Sequence, residues 1–121
     1  MNKYIALLIS SILFAMLHLG NENMSLLPFI NLFLAGILLG IYYIHKQNLW
    51  FSIGMHLTWN FFQGPIFGFE VSGNKTASIV VQEISGNELI TGGEFGSEGS
   101  LVATVLMMIL IIIIDRKYKI I

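Results

Sequence analysis

The sequence predicts an all-α integral membrane protein of about four transmembrane helices, with a long glycine-rich loop before the last. Three observations carry that expectation. Of 121 residues, 55% are apolar and only 11% charged, whereas soluble chains average about 25% charged. Mean hydropathy is +0.79, and the charges gather in a few short segments. Four apolar runs, at about 4–20, 26–45, 49–69 and 101–115, approach the ~20 residues that a helix needs to cross a bilayer. One transmembrane domain, 1–121, accounts for the chain, and the lipid bilayer is its first partner. A formal net charge of −1 without a basic stripe excludes a nucleic-acid partner. The absence of cysteine excludes disulfides and thiolate metal sites.

The first run follows Asn2-Lys3 and stops at Gly20-Asn21. A lysine followed by an apolar stretch also suits a signal peptide, but no A-x-A-like cleavage site follows, so the run reads as a retained span. The second carries Pro28 in its first turn, where a missing N–H costs little. It also carries Ala35 and Gly36-x-x-x-Gly40, a small-residue face that lets another helix approach closely. The third run is striped: Ser52, His56, Asn60 and Gln63 recur at spacings of four, four and three, so a helix puts them on one face. Polar groups in hydrocarbon are costly unless partnered, so that face looks into protein or water. Gln63-Gly64-Pro65 ends or kinks this helix. The fourth run is uninterrupted and closes on Asp115, Arg116, Lys117 and Lys119.

Between the third and fourth spans, residues 70–100 hold half of the glycines and five of the seven acids. Thr76–Ile84 reads either as a short strand or as an interfacial segment, and 92–99 is too glycine-rich for helix. A loop of this length is usually functional or mobile. Four spans put Lys3, Lys46, Arg116, Lys117 and Lys119 on one side, five of the six basic residues, and the positive-inside rule makes that side cytoplasmic.

An ionisable residue at membrane depth is a candidate functional site. Ser11, Phe14 and His18 share one face of the first helix, which ends in a second histidine. At 1.5 Å rise per residue, His18 lies ~22 Å from Lys3 and Asn60 ~21 Å from Lys46, with His56 one turn nearer the basic side. His18, His56 and Asn60 can therefore meet at one depth. Each also has a plainer reading: His18 as a headgroup-level histidine, Asn60 as an interhelical hydrogen bonder, His45 as an interfacial residue of the polar turn. Glu22 lies four residues after His18, but Gly20-Asn21 places it in an outer turn. Neutral imidazoles ligate a divalent metal or transfer protons near neutral pH, and an asparagine amide can stabilise an oxyanion. The residues thus suit a hydrolase site that lacks its acid. A bis-histidine haem site on His18 and His56 uses the same residues.

Phe14-Ala-Met-Leu-His18 resembles the F-x-x-x-H motif of the CAAX-protease and bacteriocin-processing (CPBP) family of intramembrane proteases, and His56-Leu-Thr-Trp-Asn60 resembles its H-x-x-x-N motif. The likeness extends through residues 31–73 and 89–106. It implies a bacterial, multi-pass cell-membrane metalloendopeptidase acting on a peptide or protein substrate. By the resemblance His18 helps to polarise water, while His56 and Asn60 act on the scissile carbonyl; a zinc ion, with His18 and His56 as ligands, is the implied cofactor. The family's paired glutamates, E-E-x-x-x-R, have no counterpart in this chain. The expectation is little proteolysis by this chain alone, with a partner segment supplying the glutamates. The alternative is a non-catalytic membrane interaction or bacteriocin-immunity protein of the same fold.

Overall fold

A computed structural model describes residues 1–119, and every expected apolar run contains a helix. Asn2 begins α1 (Lys3–Leu17), its side-chain oxygen accepting from the Tyr4 N–H at 2.8 Å. Such a cap contributes about 1 kcal/mol. Helix α2 (Leu26–Lys46) ends with Gln47 in the left-handed region at φ 53°. Asn48 accepts from the Trp50 N–H and opens α3 (Trp50–Phe61). Gln63-Gly64-Pro65 then forces the change anticipated there, a π-helical turn at Phe62–Ile66 that bends the chain away. A four-residue helix, α4 (Glu88–Thr91), precedes α5 (Leu101–Tyr118), which Ser100 caps by accepting from the Ala103 N–H.

By length and composition, α2 alone among the described residues can cross a membrane unaided. Helix α1 has 15 residues, and α3 stops as α-helix after 12. The expected runs 4–20 and 49–69 are thus longer than the helices they contain, because His18 and Phe62 end the regular hydrogen bonding. Helix α5 instead runs three residues past Asp115.

The second helix is the hub, with α1, α3 and α5 packed around it. Leu7, Ser11 and Ala15 form the buried stripe of α1, and they meet the small-residue face of α2. A Cβ at Gly36 would lie 2.9 Å from the Ser11 backbone, and one at Gly40 would strike the Leu7 side chain. The glycines therefore set the interhelical distance. Ala15, Leu32 and Phe95 form the buried core, with Phe14, Met24, Phe29 and Phe33 packed on it. Phe95 comes from the long connection, so that segment is partly core. The outward faces of α1 and α5 stay apolar, with Ile5, Leu8, Ile12, Val105, Ile109 and Ile112 exposed. Apolar surface on that scale marks an interaction with lipid or protein.

Residues 70–100 fold as a strap rather than a free loop. Two 3-10 turns, Gly93–Phe95 and Ser97–Gly99, follow α4. Thr76–Ile84 forms neither helix nor strand, and it runs beside the π turn through Ile79 N–H to Pro65 O and Val80 N–H to Ile66 O. Val71 and Asn74 make one isolated bridge. Gly73, at φ 83°, sits so close to the Glu22 carbonyl that any Cβ would overlap it. This closes the strap over the His18 end of α1.

At the opposite end the basic residues gather. Lys3 and Lys119 lie over the Tyr4 ring at 5.6 and 5.7 Å, and Lys46 and Lys117 over Tyr118 at 5.5 and 5.4 Å. Between them His45 Nε2 lies 2.8 Å from Asp115 Oδ1, which also accepts from the Tyr4 hydroxyl at 3.2 Å. His45, expected to be interfacial, has a side chain only 1% exposed.

Candidate active site

His18 is the C-cap of α1, where the helix can no longer supply a partner for its last carbonyls. Its Nδ1 lies 2.6 Å from the Phe14 carbonyl oxygen one turn back. A carbonyl only accepts, so Nδ1 carries the proton, and in the neutral ring Nε2 keeps a free lone pair. The Phe14 ring stacks tilted on His18 at 4.6 Å and meets the edge of His56 at 5.8 Å. One phenylalanine thus orients both imidazoles, a physical reason for a large aromatic four residues before the histidine.

The polar stripe of α3 divides by function. Ser52 donates to the Leu39 carbonyl of α2, and buried Gln63 donates to the Glu70 carbonyl at 2.8 Å. These end residues tether the helix. His56, between them, makes no hydrogen bond with the described residues; its ring lines a cavity of about 210 Å³ that His18 also lines. Asn60 is half-buried one turn further on, unbonded to the described residues, and is not among those lining that cavity. Glu22 is exposed in the turn after α1, as its position after Gly20-Asn21 implied.

Three polar residues that the sequence did not single out join the cavity wall: Asn31, Ser72 and Glu98. Asn31 is 1% exposed, donates to the Glu98 carbonyl at 2.6 Å and the Ser100 carbonyl at 2.9 Å, and accepts from the Thr104 hydroxyl at 2.6 Å. It ties the strap to the hub helix. The Glu98 carboxylate accepts from Trp59 Nε1 at 2.8 Å through one oxygen. Its other oxygen accepts from the Ser72 N–H at 2.9 Å and the Ser72 hydroxyl at 2.8 Å. A lone asparagine in an apolar span was the available signal for Asn31. For Glu98 there was none, because its place depends on how a glycine-rich segment folds back.

Two imidazoles give a zinc ion two of the three protein ligands that a catalytic site uses. Among the described residues no group of three or more His, Asp or Glu side chains is placed to hold an ion. A metal here would need a donor from another segment. On the far side of Met55 and Trp59 lies an open groove of about 670 Å³ walled by Trp50, Phe51, Phe62, Phe67 and Phe69.

A family model described as type II CAAX prenyl endopeptidase, Rce1-like, matches residues 1–62, a stretch that contains both histidine motifs. No curated protein and no solved structure matches the chain.

Proposed function

Because the chain belongs to the Rce1-like family of type II CAAX prenyl endopeptidases, we propose that it is a multi-pass membrane endopeptidase that hydrolyses a peptide bond near a lipid-modified residue. The observation that carries this reading is the pair of motif histidines sharing one cavity wall, His18 with Nε2 free and His56 with both nitrogens unengaged by the described residues. Neither ring is needed by the fold for a hydrogen bond to another helix. A half-buried imidazole with an open nitrogen suits proton transfer, typically worth about 10²–10⁴-fold in rate.

In the proposed reaction His18 Nε2 accepts a hydrogen bond from water and polarises it toward the scissile carbonyl. His56, and Asn60 one turn beyond it, act on the carbonyl oxygen, where a single donor is worth roughly 10²–10³-fold. The Asn60 side chain, half-buried, makes no hydrogen bond with the described residues. The aromatic groove beyond Trp59 suits an apolar chain carried by the substrate. The apolar outer faces of α1 and α5 support a bundle immersed in lipid.

The test is direct. The chain, reconstituted in liposomes, is given a farnesylated peptide with a C-a-a-X end, and release of the residues beyond the modified cysteine is followed by mass spectrometry. Cleavage that disappears in His18→Ala and in His56→Ala supports the proposal. Cleavage unchanged in both variants overturns it.

A further inference from the structure

Five of the six basic residues gather at the end of the bundle away from His18, and the fold sets almost no acid against them. Lys3 opens α1, Lys46 closes α2, and Arg116, Lys117 and Lys119 lie at the end of α5. Asp115 is the one carboxylate at that end, and its Oδ1 is engaged by the His45 ring and the Tyr4 hydroxyl. Among the described residues His45 with Asp115 is the one ion pair, so no carboxylate matches the lysines or the arginine. The ammonium groups lie instead over aromatic rings, Lys3 and Lys119 over Tyr4, Lys46 and Lys117 over Tyr118. A ring orients a cation without neutralising it.

We propose that the seam between α1 and α5 at this end binds an anionic phospholipid, its phosphodiester on Lys3 and Lys119 and an acyl chain along the two helices. The Tyr4 hydroxyl meets Asp115 Oδ1 at 3.2 Å and joins the helices there. Lys3 and Lys119 therefore come from different helices onto one ring, 5.6 and 5.7 Å from its centre. Helical periodicity continues the seam into apolar surface. Leu8, one turn on from Tyr4, is about half exposed, as are Ile112 and Met108, one and two turns back from Asp115. A phospholipid carries its anion and its apolar chains in that same order from the membrane surface inward. A free phosphate would meet the cations and leave the apolar strip uncovered, so the pairing of the two favours the lipid.

The second lysine pair has a different setting. Lys46 and Lys117 lie over Tyr118, whose ring packs edge-on against Tyr42 at 5.0 Å, and Tyr42 in turn stacks on Phe51 of α3 at 4.5 Å. That pair borders a packed aromatic cluster on the hub helix rather than a seam between two helices with apolar outer faces. The two pairs carry equal charge, which makes each the control for the other. The assignment rests on the bundle lying in lipid and not on the peptidase chemistry, so either can fail without the other.

The full chain in nonionic detergent is titrated with phosphatidylglycerol and with phosphatidylcholine of identical chains, and bound lipid is read by native mass spectrometry. At about fivefold per lysine, phosphatidylglycerol should bind the parent about 25-fold tighter than phosphatidylcholine. Lys3→Gln with Lys119→Gln should bring the two lipids within about twofold of each other, and Lys119→Gln alone, outside the His45 network, should lose about fivefold. Arginine at both positions should keep the preference. Lys46→Gln with Lys117→Gln should lose less than about threefold, and Lys75→Gln, on the strap, should match the parent. Equal binding of the two lipids by the parent overturns the site. So does a preference that survives in the Lys3/Lys119 variant, or equal losses in the two double variants, which would make the attraction a diffuse surface charge. Displacement of phosphatidylglycerol by an equal concentration of inorganic phosphate would make this a small-anion site and overturn the lipid assignment.

Discussion

The molecule holds histidines beside carboxylates at its two ends, and the two arrangements are opposites. At the basic end His45 is closed: Nε2 meets Asp115, Nδ1 lies 3.1 Å from Lys3 Nζ, and the side chain is sealed from solvent. At the other end His18 commits one nitrogen to its own helix and leaves the other free, while His56 commits neither. Both Asp115 oxygen contacts tie helices together, α1 and α2 to α5. Glu98 ties the strap to α3 and also lines the cavity that His18 and His56 share. A histidine whose nitrogens are all engaged holds a fold together. One with a nitrogen facing empty space is available for chemistry.

That contrast can be broken from either side. The largest effect belongs to the open end: His56→Ala should cost about 10²–10⁴-fold in cleavage while thermal unfolding in detergent stays within a few degrees of the parent. A comparable loss of stability would make His56 a second closed histidine. At the closed end the expectation reverses. His45→Ala removes partners from Asp115 and Lys3 and should destabilise by about 1–3 kcal/mol, read as a lower unfolding midpoint, while cleavage per folded molecule is kept. A His45→Ala protein that folds normally but cannot cleave would move the chemistry to the basic end.

Between the two ends lies the glycine contact that sets how close α1 comes to the hub. Gly36→Val should cost about 1–3 kcal/mol, because its Cβ has 2.9 Å to the Ser11 backbone and nowhere to go. The smallest effect is Gly54→Ala on α3, where nothing lies within 4 Å. Removing backbone freedom there should stabilise by about 0.5–1 kcal/mol. If both glycine variants behave alike in an unfolding titration, close approach at Gly36 does not set the bundle.

Helix placement was legible in the sequence because apolar runs and a Gly-Pro break are local signals. The helical end at His18 was not, since the local stop signal, Gly20-Asn21, lies two residues beyond it. The spacing of Phe14 and His18 put both on one face of α1, and the cavity wall contains them together with His56 of α3, whereas Asn60, expected at the same depth, is not among the residues that line it. Ser52 and Gln63 shared the same stripe yet serve as tethers, which periodicity cannot distinguish from a site. The pairing of His45 was not legible because its partner, Asp115, lies 70 residues away. Glu98 was invisible for the same reason. Its position follows from Asn31, Ser72 and Trp59, residues of three different segments converging on one turn.

The central claim is that His18 and His56 present open nitrogens to one cavity while His45 does not. Nitrogen-15 NMR of the three imidazoles in lipid nanodiscs, before and after adding the farnesylated peptide, reads this directly. The account predicts His18 protonated at Nδ1 with a free Nε2, and ligand-induced shifts at His18 and His56 with His45 unmoved. A His18 ring protonated at Nε2 alone, or shifts confined to His45, would contradict it.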